Sequence, residues 1–338
     1  IQGEARLDTI TYGLPILTDG VISFRDDIGV DNRVSLSLDE TTNEVVINLV
    51  SDLPEDVPSS GLVSPYRFPA SDVTSVEMDL GAGNDRLTIE GLKLPVQFVG
   101  GDGVDTVRLI GSDNADRFFW HTTNNEMSPR TLEERLRGLS SLRHTGELTI
   151  QQSEWGAGSL DLHSPDVERV EIDSRGGGDR VYGYAKFGVP ASVTHVTVNL
   201  GSGDDSFQME YFDFTMNVNG AAGDDHISTG NAADVLAGGS GDDSLTSGAG
   251  NDRVRAQGGD DLVNGGTGVD TLDGGGGETD LFDTIDGRVD LTDSGYATEN
   301  GDTARVSGRI RRVYLTGGNG DDVLSAQQFT GRNVSLAG

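Results

Sequence analysis

An aspartate recurs every nine residues between positions 223 and 273, in unbroken register. The six copies are Asp225, Asp234, Asp243, Asp252, Asp261 and Asp270. Glycine, or in one copy Ala232, stands two residues before each aspartate, and an aliphatic residue stands two residues after it. A repeat this short cannot bury an apolar face by itself, so successive copies must stack on one another into a regular coil.

Each nine-residue copy combines a tight turn with a very short strand. Glycine allows the left-handed backbone and the close approach that the turn needs, and the aliphatic residue directs its side chain to one side of the strand. Two copies then form one coil of eighteen residues. The predicted aspartate rows are Asp225, Asp243, Asp261 and Asp234, Asp252, Asp270, and the predicted inner rows are Ile227, Leu245, Val263 and Leu236, Val254, Leu272.

The apolar core of such a coil is thin. One buried aliphatic residue per copy contributes about 1.5–3 kcal/mol, whereas ordering nine backbones costs roughly 9–18 kcal/mol. Residues 219–273 hold ten Asp, no Glu and two Arg, which leaves a formal charge of −8. Carboxylates stacked about 5 Å apart repel each other unless a cation neutralises them. Oxygen-only ligands favour Ca²⁺ over zinc or copper.

The copy Gly238-Gly239-Ser240-Gly241-Asp242-Asp243-Ser244-Leu245-Thr246 resembles the nonapeptide of RTX, or haemolysin-type, calcium-binding repeats. The resemblance implies a parallel β-roll with Ca²⁺ between neighbouring turns, held by aspartate carboxylates and turn carbonyls. The implied ligands are the six aspartates with the carbonyls of Gly223, Gly239, Gly241, Gly250, Gly259 and Gly268. Ala232 and the pair Ala256-Gln257 replace glycines, and we expect those two turns to bind more weakly.

Single copies of the turn motif occur outside the six-copy run. They mark weaker metal candidates at Asp85, Asp105, Asp179, Asp205 and Asp322. Strands with alternating apolar residues precede these turns, and the spacing from Asp85 to Asp105 is twenty residues. These features predict longer coils in which one turn is able to hold Ca²⁺ and the other turn has no metal site. Most of the chain is therefore expected to be one solenoid.

The predicted fold class is all-β, a parallel β-roll or β-helix solenoid with calcium in its turns. Residues 1–70 read as an irregular β-rich cap, and residues 71–218 as long coils with one short helical insertion near 121–145. Residues 219–277 form the regular roll, and residues 278–338 form a β-insertion followed by a further coil. At the end of the roll, Gly274–Gly277 reads as a flexible turn. Because Ile1 is not a natural start, the chain is expected to be truncated at both ends.

The composition restricts the partners of this chain. It has 24 Lys and Arg against 56 Asp and Glu, a net charge of −32, which argues against nucleic acid and anionic lipid. It has no cysteine, and Ca²⁺ can replace disulfides as a staple in a secreted protein. No apolar run is long enough for membrane insertion. We expect an extracellular or cell-surface location, with glycans or cell-surface molecules as partners.

No catalytic motif is present. The five histidines form no His-Glu-x-x-His, and there is neither a Gly-x-Ser-x-Gly elbow nor a P-loop. The leading hypothesis is a calcium-dependent structural or adhesive segment without enzymatic activity of its own. One alternative is a β-helix polysaccharide hydrolase or lyase near residues 121–163, with Trp120, Trp155, Tyr182, Tyr184, Phe212 and Phe214 lining a sugar groove. Another is a secretion module for a passenger enzyme.

Overall fold

The computed structural model describes residues 14–26, 29–51, 64–123, 147–154, 159–164, 166–184, 192–268, 270–285, 288–292, 295–298, 303–317, 323–328 and 333–337. The helical insertion predicted near residues 121–145 lies outside these residues except for 121–123, which belong to a strand. The one helical element in the described ranges is a short 3-10 helix, η1 (Ala70–Asp72). No described helix has the length and apolar character required to cross a membrane.

The remaining elements are strands. Strands β1 to β9 are Ile16–Thr18, Val21–Arg25, Asn32–Asp39, Glu44–Ser51, Tyr66–Pro69, Ser75–Asp79, Arg86–Glu90, Pro95–Val99 and Thr106–Ile110. Strands β10 to β18 are Asp116–Thr123, Glu147–Glu154, Ser159–Ser164, Arg169–Asp173, Arg180–Tyr184, His195–Ser202, Ser206–Gln208, Thr215–Ala222 and His226–Ser228. Strands β19 to β28 are Val235–Ser240, Ser244–Thr246, Arg253–Gly258, Leu262–Asn264, Thr271–Ile285, Arg288–Thr292, Gly295–Thr298, Thr303–Gly317, Val323–Gln328 and Asn333–Ala337.

Parallel pairing arranges these strands into two faces. The first face is the ladder β3, β7, β9, β13, β15, β17, β19, β21, β23, β26 and β28. The second face contains β2, β6, β8 and β12, and then β10, β14, β16, β18, β20 and β22. Strand β11 joins the two groups by antiparallel pairing with β10 and β12. The chain alternates between the faces, as a parallel β-roll requires.

The register agrees with the coil lengths expected from the sequence. In the roll, Ile227 pairs with Leu245 and Leu245 with Val263, eighteen residues apart each time. In the N-terminal coils the step is twenty residues, as for Leu87 and Val107. The predicted inner rows are at most 1% exposed, so they form the core between the two faces. The prediction of a parallel β-roll is confirmed.

The first coils have a thicker core than the roll. Strand β3 pairs with β4 in an antiparallel hairpin, and β5 adds a third strand to it. Ile22, Phe24, Leu36 and Ile47 from this region are buried. Strands β2 and β3 contribute two and three inward side chains, whereas a three-residue strand of the roll such as β20 contributes one.

The C-terminal part departs from the sequence-based expectation at one point. Gly274–Gly277, predicted to be a flexible turn, lies inside the fifteen-residue strand β23. Strand β23 contacts both β21 and β22, so it follows the coil around from one face to the other. Strands β24, β25 and β26 then form an antiparallel meander, and β26 returns to the first face.

Close stacking of the turns restricts one position in each coil. Gly239 and Gln257 occupy the same place in successive coils, and their φ angles are +127° and +77°. A side chain at Gly239 would collide with the carbonyl oxygen of Ala221 in the preceding coil. Glycine is suited to this place because it has no Cβ, and Gln257 adopts the left-handed conformation at a cost of roughly 1–2 kcal/mol.

Exchanging these two residue types tests the stacking. We expect Gln257→Gly to raise the free energy of unfolding by up to about 1 kcal/mol, because it removes left-handed strain but adds chain entropy to the unfolded state. Gly239→Gln should lower it, since the new Cβ meets a carbonyl. The measurement is the thermal midpoint by circular dichroism at fixed calcium. A neutral Gly239→Gln would contradict the close stacking of these turns.

Candidate metal centre

The turns of the solenoid lie along two edges, and each edge carries a row of acidic residues. The first row follows the turns from the first face to the second and contains Asp116, Asp179, Asp205, Asp225, Asp243 and Asp261. The second row follows the opposite turns and contains Asn32, Asp85 and Asp105, and then Asp234, Asp252 and Asp270. The predicted separation into two rows is therefore present, and the first row continues well upstream of the repeats.

A repeated hydrogen bond links neighbouring members of each row. The backbone N–H of Asp225 donates to Oδ1 of Asp243 at 2.9 Å, and that of Asp243 donates to Oδ1 of Asp261 at 3.0 Å. In the second row, the N–H of Asp234 donates to Oδ1 of Asp252 at 2.8 Å. One carboxylate oxygen of each aspartate is thus used to fix the register between coils.

The other carboxylate oxygen is buried without such a bond. The aspartates of the two rows are between 0% and 3% exposed. Oδ2 has no hydrogen-bond partner, within the part of the chain that the structure describes, in Asp85, Asp105, Asp179, Asp205, Asp225, Asp234, Asp243, Asp252 and Asp261. A buried carboxylate oxygen that lacks a donor is strongly destabilising, so this position calls for a proton or a cation.

Carbonyl oxygens surround the same space. The predicted glycine ligands Gly223, Gly239, Gly241, Gly250, Gly259 and Gly268 all have positive φ, between 124° and 152°. A Cβ on Gly241 would collide with the carbonyl oxygen of Gly223, and one on Gly259 with that of Gly241. A Cβ on Gly238 would meet both Oδ2 of Asp243 and the carbonyl oxygen of Ala256. Each pair of turns therefore encloses oxygen atoms from the backbone and from aspartate.

Burial controls the protonation of these carboxyl groups. Desolvation raises the pKa of Asp225 and Asp234 to about 6 and that of Asp243 and Asp252 to about 7, against the lowering effect of the backbone N–H at Oδ1. The upstream members behave alike, with pKa values of about 6 for Asp85 and about 7 for Asp105, Asp179 and Asp205. Burial also raises the pKa of Asp261. In the absence of a cation, burial disfavours the charged form of these carboxyl groups.

The ligand set suits a hard cation. In the described residues, no three His, Cys, Asp or Glu side chains converge on one point, so side chains alone do not make a metal cage. Two aspartates from neighbouring turns and the turn carbonyls supply oxygen only, the ligand type that Ca²⁺ prefers. The orphaned Oδ2 atoms and the space that a Cβ would fill are therefore consistent with Ca²⁺ between the turns.

Several residues of the two rows were not predicted from the sequence. Asp116 heads the first row, and its backbone N–H donates to Oδ1 of Asp179 at 2.6 Å. Asn32 heads the second row in the same manner. Glu168 accepts the N–H of Asp105 at 2.7 Å and so continues the row with a longer side chain. Aliphatic residues before the turn and an apolar residue two positions after Asp116 were a signal that could have identified it. However, this turn lacks the glycine that stands two residues before most of the other row aspartates.

Two hydroxyl groups add further links between coils on the second edge. Oγ1 of Thr229 donates to the carbonyl of Ser247 at 3.0 Å, and Oγ of Ser247 donates to the carbonyl of Gly265 at 2.8 Å. Both residues are buried. Each stands five residues before a row aspartate, a spacing that carried no recognised signal in the sequence.

The remaining predicted residues are the metal candidate Asp322 and the aromatic residues of the alternative sugar groove. Asp322 lies outside the described residues, as does Trp155. Trp120, Phe212 and Phe214 are buried and pack on one another, with ring centroids of Trp120 and Phe214 5.4 Å apart. These three rings belong to the core rather than to a sugar groove.

Comparison with protein families identifies these turns. The RTX calcium-binding nonapeptide repeat matches residues 217–245, 246–281 and 305–328, in four copies. The chain therefore carries RTX calcium-binding repeats, and their cofactor is Ca²⁺, as predicted. Comparison with curated proteins finds no match.

The raised pKa values predict how pH acts on the metal-free chain. The folded-state values of about 6–7 exceed the ordinary aspartate value of about 3.9, so the folded roll binds more protons than the unfolded chain between them. Stability is therefore fully present below about pH 4 and is lost as pH rises through about 7. The measurement is the thermal midpoint of the chain in chelator-treated buffer across this range.

The calcium-loaded chain provides the control for this prediction. Protons and Ca²⁺ compete for the same oxygens, so acidification should lower the midpoint at saturating calcium. A metal-free midpoint that increases with pH between about 4 and 7 would contradict the assignment of these buried carboxyl groups.

Proposed function

Because the chain carries RTX calcium-binding repeats, we propose that calcium binding folds residues 219–277 into a rigid segment of a secreted or cell-surface protein. The observation that carries this proposal is the row of buried Oδ2 atoms that lack a hydrogen-bond partner among the described residues. The candidate ligands are the six aspartates of the nonapeptide run and the carbonyls of its turn glycines. Asp85, Asp105, Asp179 and Asp205 share their burial and orphaned oxygen, which supports further sites upstream.

Electrostatic repulsion explains why folding would depend on the ion. Two ionised carboxylates about 5 Å apart, at an effective dielectric constant of about 20, repel each other by about 3 kcal/mol. Asp225, Asp243 and Asp261 form one such stack, and Asp234, Asp252 and Asp270 form another. One inward aliphatic residue per turn does not offset this repulsion together with the cost of ordering the chain.

The residues of the chain prepare the site, and Ca²⁺ supplies charge neutralisation when bound. Aspartate Oδ1 fixes the spacing of the coils through the backbone N–H of its neighbour, and this directs Oδ2 into the gap between turns. The glycines allow the carbonyls to approach. At a calcium concentration ten times the dissociation constant, each site adds about 1.4 kcal/mol to the stability of the folded state. Several sites along one roll would therefore make folding steeply dependent on calcium.

The cellular context follows from the calcium concentration. Extracellular calcium modules have dissociation constants of about 10⁻⁴–10⁻³ M, well above cytosolic calcium. A roll of this kind would stay loose in the cytosol and fold outside the cell, and RTX repeats typically occur in secreted proteins. The rigid, acidic rod that results is suited to a structural or adhesive role, with glycans or other cell-surface molecules as proposed partners.

Chelation tests the proposal. We expect removal of calcium to reduce the β-sheet circular dichroism signal and re-addition to restore it, because the stacked carboxylates repel without the ion. Asp243→Ala and Asp261→Ala should each lower the number of calcium ions bound, as measured by isothermal titration calorimetry and by metal analysis.

The matched control is Asp242→Asn, which changes an exposed carboxylate on the same edge and retains Oδ1 for the N–H of Asp260. This variant should bind as many ions as the unmodified chain. An unchanged circular dichroism spectrum on chelation would rule out calcium-dependent folding. Full calcium stoichiometry in Asp243→Ala would reject the ligand assignment.

A further inference from the structure

We propose that Asn32 makes the first coil independent of calcium, because its side-chain N–H groups supply the positive polarity that a cation would supply in the other turns. The consequence is a metal-free cap on which the calcium-dependent coils can build. This inference rests on the proposed calcium-dependent folding of the roll, and its test separates the two.

Asn32 holds a row position that aspartate holds elsewhere. It is fully buried, and its backbone N–H donates to Oδ1 of Asp85 at 2.7 Å. The N–H of Asp85 donates to Oδ1 of Asp105 at 2.9 Å in the same way. Asn32 is therefore the first member of the second row, with an amide in place of the carboxylate.

The amide nitrogen of Asn32 is surrounded by oxygen atoms. Nδ2 donates to Oδ2 of Asp26 and to the carbonyl of Val30, both at 2.8 Å, and lies 3.3 Å from the carbonyl oxygen of Leu80. All three neighbours are acceptors, so this orientation of the amide is the one in which its N–H groups are used. A positively polarised group thus fills the centre of an oxygen cage.

Part of this arrangement recurs in the roll without the donor. Val30 stands two residues before Asn32, as Gly241 stands two before Asp243. Leu80 stands five residues before Asp85, the row member that follows Asn32. In the same way, Ala256 stands five residues before Asp261, the row member that follows Asp243. Oδ2 of Asp243 and the carbonyl oxygen of Ala256 both lie against Gly238. Where Asn32 places N–H among these oxygens, aspartate places another oxygen, and only an added cation or proton can separate them.

The packing around Asn32 also supports a coil that is stable by itself. Ile22, Phe24, Val34 and Leu36 flank it in β2 and β3 and are at most 4% exposed. The hairpin of β3 and β4 adds eight residue pairs of antiparallel register beside this coil. The first coil thus combines a larger apolar core with a hydrogen-bonded Asn32 amide, whereas the roll combines a thinner core with buried Oδ2 atoms that lack a donor among the described residues.

Hydrogen exchange on the full chain, with and without calcium, is the test. We expect amides of β2, β3 and β6 to keep their protection in metal-free buffer, while amides of β18, β20 and β22 lose at least about tenfold. Loss of protection in β2 and β3 together with the roll would overturn the cap and leave calcium-dependent folding intact. Retained protection in the roll would instead overturn calcium-dependent folding.

Two reciprocal substitutions test the amide itself. Asn32→Asp places a second carboxylate beside Asp26, so protection of β2 and β3 should become calcium-dependent and the chain should bind one more ion. Asp243→Asn should remove one ion and retain more protection in β18 and β20 without metal than the unmodified chain does. If Asn32→Asp keeps its metal-free protection and its calcium stoichiometry, the proposal is wrong, whatever the behaviour of the roll.

Discussion

The stacking of buried carboxylates is the constraint on which the rest of this structure depends. Oδ1 of each row aspartate after the head of its row accepts the backbone N–H of the preceding row member, so these carboxylates are fixed at the spacing of parallel strands. That spacing leaves Oδ2 buried beside other oxygens. Such an arrangement is destabilising unless positive charge is supplied, and this is the physical basis on which we propose that folding and calcium binding are linked.

The thin core of the roll favours such a link. In the roll, each short strand contributes a single aliphatic side chain to the core, as Leu245 does in β20. Upstream, strands of five or more residues contribute two or three buried side chains, and the turns are more varied. The dependence on turn chemistry is therefore expected to be strongest where the repeats are most regular. The balance between core and turn changes along one continuous pair of ladders.

Parts of the candidate site were open to prediction from the sequence, and others were not. The eighteen-residue rows of Asp225 and Asp234 follow from a strict period, and both the register and the burial agree with it.

Asn32 was missed because it lies 53 residues before Asp85, with the hairpin of β3 and β4 between them. Glu168 was missed because a longer side chain reaches the row from a turn without glycine. Gly274–Gly277 lies inside β23, which pairs with β21 before these glycines and with β22 after them, and Gly275 has a φ of +69° where the register shifts.

The sequence by itself determined the repeating unit, the ion and the coil, because turn chemistry and side-chain alternation are local and recur at fixed spacing. Only the tertiary structure decided which distant residues share a row, because strand pairing joins positions such as Asn32 and Asp85 across irregular intervals. It also decided which carboxylate oxygens are buried and which carbonyls face them. Burial is a property of the stacked coils, and it turns the acidic residues of the rows from a solvated surface into candidate sites for a cation.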